Sequence, residues 1–107
     1  MAFQFKRGDT FSLSGQVDLQ SEGQLVLDMT GWAGKSQVRT LATGTLIAEL
    51  TFAWLDATQR LLSLVKANTQ DWPLGVAELD IQFTNPQGDV VSTQTTAFDV
   101  VKDITYA

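Results

Sequence analysis

The sequence predicts an all-β domain, an antiparallel β-sandwich of about seven strands. Apolar and polar residues alternate along several short segments, which places the apolar ones on one face of a strand. Turn-forming residues separate these segments at nearly regular spacing. A helical period fits none of the segments as well as the period of two. The 107 residues have the length of one domain, which we place at 1–107.

The alternation is clearest where Leu79, Ile81 and Phe83 are separated by Asp80 and Gln82. In the second predicted strand a glycine at position 15 interrupts the apolar face, which indicates a bulge or a close approach. The predicted strands are 3–6, 10–19, 24–27, 35–41, 45–54, 60–66, 75–84 and 90–101. This arrangement is immunoglobulin-like in architecture only, because the paired cysteines and central tryptophan of an antibody domain are missing.

The apolar positions of these strands predict the core. Apolar residues make up 44% of the chain, enough to fill the interior of one domain. The residues expected to be mostly buried are Phe11, Leu13, Val17, Leu50, Phe52, Leu62, Leu64, Leu79, Ile81, Phe83 and Phe98.

The connections carry recognisable turn signals. Asp56 can close a hairpin through its side chain, and Pro86 is placed for the second position of a turn with a glycine following. The segment 68–72 can form a single helical turn that Pro73 ends.

The tripeptide Arg7-Gly8-Asp9 has the residues of an integrin-binding loop, but three common residues recur by chance. We favour a plain turn into the strand at Thr10, in which Gly8 supplies a permissive backbone and Asp9 a cap.

Charge and composition argue against several classes of function. There are 12 acidic and 7 basic residues, for a net charge of −5, and the bases are scattered, so we expect no nucleic-acid binding. The chain contains no cysteine and no histidine, and it has no phosphate-binding glycine motif. We therefore predict that the protein is not an enzyme.

The acidic residues do not form a predicted site. Glu78 and Asp80 share the outer face of one strand and Glu49 can sit on a neighbour, which is typical of a solvated face rather than a catalytic pair. The loops that could hold a metal carry one acid each, namely Asp28, Asp56, Asp71 and Asp89. We predict no metal and no cofactor.

The three tryptophans have two interpretations. Trp32, Trp54 and Trp72 can plug the open ends of a sandwich, which we favour. If Trp32 or Trp72 is exposed on its loop, it can instead stack on a sugar or join a protein interface.

The N-terminus has no apolar region of a secretory signal, and no apolar stretch approaches the ~20 residues that cross a bilayer. We expect a protein made in the bacterial cytoplasm that does not engage a membrane.

Five short pieces in this order resemble small prophage-encoded proteins of tailed bacteriophages, including immunoglobulin-like domains of tail and baseplate components. The pieces are FKRGDTF at 5–11, DMTGW at 28–32, SQVR at 36–39, WPLG at 72–75 and VKDIT at 101–105. The resemblance implies a non-catalytic structural or interaction domain of the virion. It implies other phage structural proteins or further copies of the chain as partners, and it supplies no catalytic residues.

The alternative function is a small carbohydrate- or ligand-binding sandwich that uses exposed loop tryptophans. For a protein interface, the terminal segments 3–6 and 101–105 are the predicted edge strands, and each carries a lysine that limits uncontrolled pairing. The candidate interaction residues are Trp32, Trp72, Phe3, Phe5, Lys102 and Ile104.

Overall fold

The computed structural model of the chain describes residues 3–21, 23–93 and 95–103, and it confirms the all-β prediction. The strands are β1 (Phe3–Lys6), β2 (Phe11–Gln16), β3 (Gln20–Ser21), β4 (Gln24–Leu25), β5 (Ala33–Thr40), β6 (Leu46–Asp56), β7 (Leu61–Lys66), β8 (Gly75–Thr84), β9 (Val90–Ser92) and β10 (Thr96–Val101). A short 3-10 helix, Ala57–Gln59, joins β6 to β7. No helix within the described ranges is long and apolar enough to cross a membrane.

The strands form a sandwich in which two sheets share β6. The path of hydrogen-bonded strands is β1-β10-β8-β5-β6-β7-β2, with β9 added beside β8. β6 pairs with β5 up to Leu50 and with β7 from Thr51 onwards, so the sheet folds over in the middle of this strand. We call β1, β10, β8, β5 and the first half of β6 the large sheet. The second half of β6, β7 and β2 are the small sheet.

One edge of the sandwich departs from the predicted antiparallel pattern. β1 pairs in parallel with β10, in a register that runs from Phe3 opposite Phe98 to Lys6 opposite Val101. All other strand pairs in the described part of the chain are antiparallel. β1 is therefore an edge strand, whereas β10 lies inside the large sheet between β1 and β8.

The predicted strand 90–101 is two strands, β9 and β10, which pair with opposite ends of β8. The break occurs at Thr93, whose hydroxyl oxygen accepts from the N–H of Ile81 at 2.9 Å. The N–H of Thr93 also donates to the carbonyl of Ile81 at 2.9 Å. A threonine side chain thus takes a place in the ladder that a backbone carbonyl would otherwise fill, and regular pairing stops there.

Two other sequence predictions change in detail. The segment 68–72 is a turn and not a helical piece, closed by the N–H of Trp72 donating to the carbonyl of Thr69 at 3.1 Å. The predicted strand 10–19 ends at Gln16, after which 17–19 is irregular. The Asp56 hairpin signal is confirmed, because this side chain caps the 3-10 helix by accepting from the N–H of Thr58 at 3.1 Å.

The proline turn is also confirmed. The N–H of Gly88 donates to the carbonyl of Asn85 at 2.9 Å, which places Pro86 at the second position of the turn.

Most of the predicted core is buried between the two sheets. Eight of the predicted core residues are buried, namely Phe11, Leu50, Leu62, Leu64, Leu79, Ile81, Phe83 and Phe98. Leu13, Val17 and Phe52 are half-buried and pack against this core. The core also contains residues outside the predicted set: Leu19, Met29, Val38, Trp72, Ala77 and Val100.

Aromatic rings fill the sandwich in two groups. The first surrounds Phe98, whose ring stacks on Phe3 with centroids 4.9 Å apart. In the second, the ring of Trp54 stacks on that of Phe83 at 5.8 Å, and Phe52 meets Trp54 edge-on at 5.0 Å.

The position of Phe52 in the second group predicts that alanine substitutions at two glycines will have different effects on stability. A Cβ on Gly34 would lie 2.6 Å from the ring of Phe52, whereas a Cβ on Gly15 would meet no atom within 4 Å. We expect Gly34→Ala to lower the free energy of unfolding by about 1–3 kcal/mol through overpacking. The matched variant Gly15→Ala should leave it unchanged or raise it by about 0.5–1 kcal/mol. Urea denaturation measures both, and equal midpoints for the two variants would contradict the packing of Phe52 on Gly34.

Candidate functional site

Phe3 and Phe5, two of the predicted interaction residues, face the interior. Both are half-buried, and the Phe5 ring packs against Phe11 at 5.1 Å and Trp72 at 5.2 Å. These phenylalanines help to close the corner between β1 and β2, so they offer little surface to a partner.

The described residues of the second terminal segment, 101–103, do not form an edge strand. Val101 ends β10, where it lies opposite Lys6 of β1, so β1 already covers this side of the strand. Lys102 follows the strand and is exposed. Ile104 lies outside the described residues. The predicted edge segment 3–6 is an edge strand, whereas residues 101–103 of the other segment are not.

The tryptophans are mainly packing residues. Trp72 is only 3% exposed, and its ring also packs on Phe11 at 5.4 Å. Trp32 and Trp54 are half-buried and linked, because the indole N–H of Trp54 donates to the carbonyl of Trp32 at 2.9 Å. Trp72 therefore has no open face on which a sugar could stack, and the binding alternative loses one of its two platforms.

The tripeptide at 7–9 is the turn that we favoured. Gly8 has a φ of +99°, a conformation that glycine adopts without strain. The N–H of Asp9 donates to the carbonyl of Lys6 at 3.2 Å and closes the turn. The fully buried Thr69 holds it from the other side, because its hydroxyl accepts from the N–H of Gly8 at 2.8 Å and donates to the carbonyl of Asp9 at 2.6 Å.

The acidic side chains are spread over the surface. Glu49 accepts a hydrogen bond from the side-chain amide of Gln37 at 3.0 Å. Glu78 and Asp80 lie on β8 opposite Arg39 and Gln37 of β5. Among residues 3–21, 23–93 and 95–103, no three or more histidine, cysteine, aspartate or glutamate side chains group closely enough to hold a metal ion.

One carboxyl has a shifted pKa for a local reason. The hydroxyl and the N–H of Thr30 both donate to Asp28, at 2.6 and 2.9 Å. Hydrogen bonds to the charged form, first from the side chain and then from the backbone, lower the pKa of Asp28 below its ordinary value. This is the cap of a loop and not an acid–base site.

We expect metal ions to leave the stability of the fold unchanged, since the chain has no histidine or cysteine and the acidic side chains of its described residues do not cluster. Thermal unfolding in a strong chelator, and again with added copper or calcium, should give the same midpoint. A midpoint that falls by several degrees in chelator and recovers with metal would contradict this expectation and direct attention to the aspartate-bearing loops.

A groove of about 670 Å³ opens on the side of the sandwich away from the bend in β6. We call it the β2–β10 groove. Its floor is aliphatic, formed by Leu62 and Leu64 of β7 and by Leu79 and Ile81 of β8. One wall is the stretch 13–20, and the opposite rim is formed by Ser92, Thr93 and Thr96.

The groove exists because the inward side chains become smaller towards one end of each flanking strand, β2 and β10. On β2 the inward series runs from the buried Phe11 through the half-buried Leu13 to Gly15, which has no side chain. On β10 it runs from the buried Val100 and Phe98 to the exposed and smaller Thr96. Gly15 lies opposite Leu62 and Thr96 lies opposite Leu79. The missing side chain at position 15 and the short one at position 96 therefore leave the aliphatic floor uncovered.

The strand pairing leaves the same region open. β1 covers β10 from Phe98 onwards, and Thr96 and Ala97 lie beyond the register of this pair. β2 pairs with β7 without a register shift from Phe11 to Gln16, and no atom lies within 4 Å of a Cβ built on Gly15. Gly15 is therefore neither the bulge nor the close approach that its position indicated. Its role is instead to leave space.

The groove is close to neutral. Among the described residues Asp18 is the only charged one in the lining, and this carboxylate lies 3.5 Å from the guanidinium of Arg60. The same guanidinium donates to the carbonyls of Val17 and Leu27, both at 3.1 Å, and so fixes the irregular wall after β2.

Comparisons with known proteins identify the fold. No protein-family model matches the chain, and no curated protein matches it. Among solved structures it is similar to the crystal structure of CopC from Methylosinus trichosporium OB3b, with 13% identity and a TM-score of 0.55. The match covers 99% of this chain and 89% of that chain.

This finding corrects the predicted function. CopC, to whose crystal structure the chain is similar, is not a tail or baseplate component, so the prediction of a phage virion protein is wrong. At this level of identity, what the chain shares with CopC is an all-β fold over nearly its whole length.

Proposed function

We propose that the chain is a non-enzymatic binding domain whose binding site is the β2–β10 groove. The observation that carries the proposal is the small size of two facing inward residues, Gly15 on β2 and Thr96 on β10. Neither has the large apolar side chain that would close the core at this point. A volume of about 670 Å³ lies within the range of ordinary ligand pockets.

The lining favours a neutral ligand with an apolar body. Contact with the aliphatic floor would remove apolar ligand surface from water, which favours binding. The hydroxyl groups of Ser92, Thr93 and Thr96 can form hydrogen bonds with polar groups of the ligand at the rim. Among the described residues the lining offers an anion no free cation, because the guanidinium of Arg60 is already bonded to Asp18 and to the carbonyls of Val17 and Leu27.

The absence of catalysis is part of the proposal. Hydroxyl groups at the rim need an activating base to become nucleophiles, and the chain contains no histidine for this task. Asp18 is 75% exposed at the end of the wall and has Arg60 as its partner, which is unlike the environment of a general base tuned by burial.

The test uses the neutral fluorescent probe N-phenyl-1-naphthylamine. Gly15→Leu should fill the groove, because its Cβ enters open space and the backbone needs no positive φ. We expect this variant to bind the probe at least about tenfold more weakly than the parent. The matched control Ser12→Leu adds the same side chain to the exposed outer face of β2 and should leave the affinity unchanged.

Charge gives a second arm of the same titration. The anionic probe 8-anilinonaphthalene-1-sulfonate should bind more weakly than the neutral one. Equal affinity of the parent and Gly15→Leu for the neutral probe would reject the groove as the site. So would an equal loss in Ser12→Leu.

A further inference from the structure

We infer that the occupant of the β2–β10 groove is an extended segment of another polypeptide, which pairs with the edge of β2 as an additional strand of the small sheet. This inference rests on the proposed function, because it names the class of ligand for the same site. The inference goes beyond the proposed function because it requires backbone hydrogen bonds to β2 as well as apolar contact with the groove.

The first argument is the state of the β2 edge. β2 ends the strand path, and within the described residues it pairs only with β7, from Phe11 opposite Lys66 to Gln16 opposite Leu61. Natural edge strands are usually protected from pairing by charge, proline or a bulge. β2 has the sequence FSLSGQ and its ladder runs without a bulge, so it carries none of these, whereas the edge strand β1 carries Lys6.

The second argument is the unequal width of the two sheets. In the large sheet β10 and β1 extend beyond β8, whereas the small sheet stops at β2. A strand hydrogen-bonded to β2 would lie about 4.8 Å further out and would cover the first half of β10. Its inward side chains would occur at every second residue, and they would enter the space that Gly15 and Thr96 leave above the floor.

The third argument is charge complementarity. A strand in the groove would face aliphatic side chains and neutral hydroxyls, and the one charged side chain among the described lining residues, Asp18, is already paired with Arg60. The complement is therefore a segment with uncharged apolar residues at its inward positions. A basic residue at one end of the segment suits the net charge of −5, which would repel an acidic segment.

Strand addition of this kind obtains its affinity from main-chain hydrogen bonds and its specificity from alternate side chains. The probe is therefore a capped octapeptide of alternating valine and threonine with one lysine, prepared with the lysine at either end. In a β-strand the N–H groups of every second residue point to the same edge of the strand. Methylation of the backbone nitrogens of every valine, or of every threonine, thus blocks one edge at a time.

We expect the parent peptide to bind the protein in an NMR titration and to displace N-phenyl-1-naphthylamine. One N-methylated form should lose at least about tenfold in affinity while the other keeps it. Gly15→Leu should weaken binding of the parent peptide, and Ser12→Leu should not. The inference is overturned if both methylated forms bind as well as the parent, or if neither parent peptide binds at about 1 mM.

The two proposals fail in distinguishable ways. If the neutral probe binds and depends on Gly15 but the peptides do not bind, the groove is a small-molecule site and strand addition is rejected. If neither binds, both proposals fall. Sedimentation of the protein alone adds one more outcome: a dimer that Gly15→Leu abolishes would replace the foreign segment by a second copy of this chain.

Discussion

Replacing Phe98 by alanine is expected to lower the free energy of unfolding by about 3–5 kcal/mol. Phe98 is fully buried in the middle of β10, and its ring contacts Phe3 at 4.9 Å and Phe11 at 5.5 Å. Because these rings come from β1 and β2, which belong to different sheets, the cavity would open at the corner where the two sheets meet. The surrounding strands cannot collapse into it without breaking their register.

Urea denaturation with a shared slope measures this loss. The control is Phe3→Ala, which removes the half-buried partner of the same stack and should cost clearly less than the loss at position 98. If the two variants unfold at the same urea concentration, the burial assigned to Phe98 is incorrect.

Thr69→Val should cost about 1–3 kcal/mol despite its nearly unchanged volume. The Thr69 hydroxyl is fully buried and serves two backbone groups at once, the N–H of Gly8 and the carbonyl of Asp9. Valine would leave both backbone groups without this partner in a site sealed from water. The turn that joins β1 to β2 would then lose its anchor to the segment before β8.

Thr69→Ser is the matched control, because it keeps the hydroxyl and removes only a methyl group. We expect the serine variant to retain most of the stability and to keep the Gly8 amide slow in hydrogen exchange, whereas the valine variant exposes it. Equal stability of the serine and valine variants would show that the hydrogen bonds of Thr69 contribute nothing.

Period-two alternation predicted the fold class because a strand that is buried on one face carries apolar residues at every second position. β8 shows this alternation most clearly, because its inward residues Leu79, Ile81 and Phe83 are buried and its bounds agree with the prediction. β1 was also placed correctly at 3–6. Its parallel pairing with β10 was not predicted, since alternation within a strand carries no information about the direction of its neighbour.

The break between β9 and β10 could not be predicted from alternation either. It depends on the Thr93 side chain bonding Ile81 on another strand, which is a tertiary contact. Buried Met29 and Trp72 lie on loops, where no periodicity marks the inward side. The sequence therefore predicted the strand cores better than the loop residues that close the ends of the sandwich.

The groove left one signal in the sequence, and that signal was misinterpreted. Gly15 stood out as an interruption in the apolar face of β2, but the alternation alone indicated a bulge or a close approach. Its meaning depends on Thr96, which is distant in sequence and leaves out a second large side chain on the facing sheet. The tryptophans drew attention because aromatic residues dominate many interfaces, yet Trp72 is part of the core.

The central claim, that the β2–β10 groove binds an apolar ligand, is tested most directly by methyl NMR of the leucine- and isoleucine-labelled protein during titration with N-phenyl-1-naphthylamine. The account predicts that the largest shifts fall on the methyl groups of the floor, which belong to Leu62, Leu64, Leu79 and Ile81. The exposed Leu27 and Leu55, which lie outside the groove, should not move. Shifts centred on Leu27 and Leu55, with the floor unchanged, would contradict the claim.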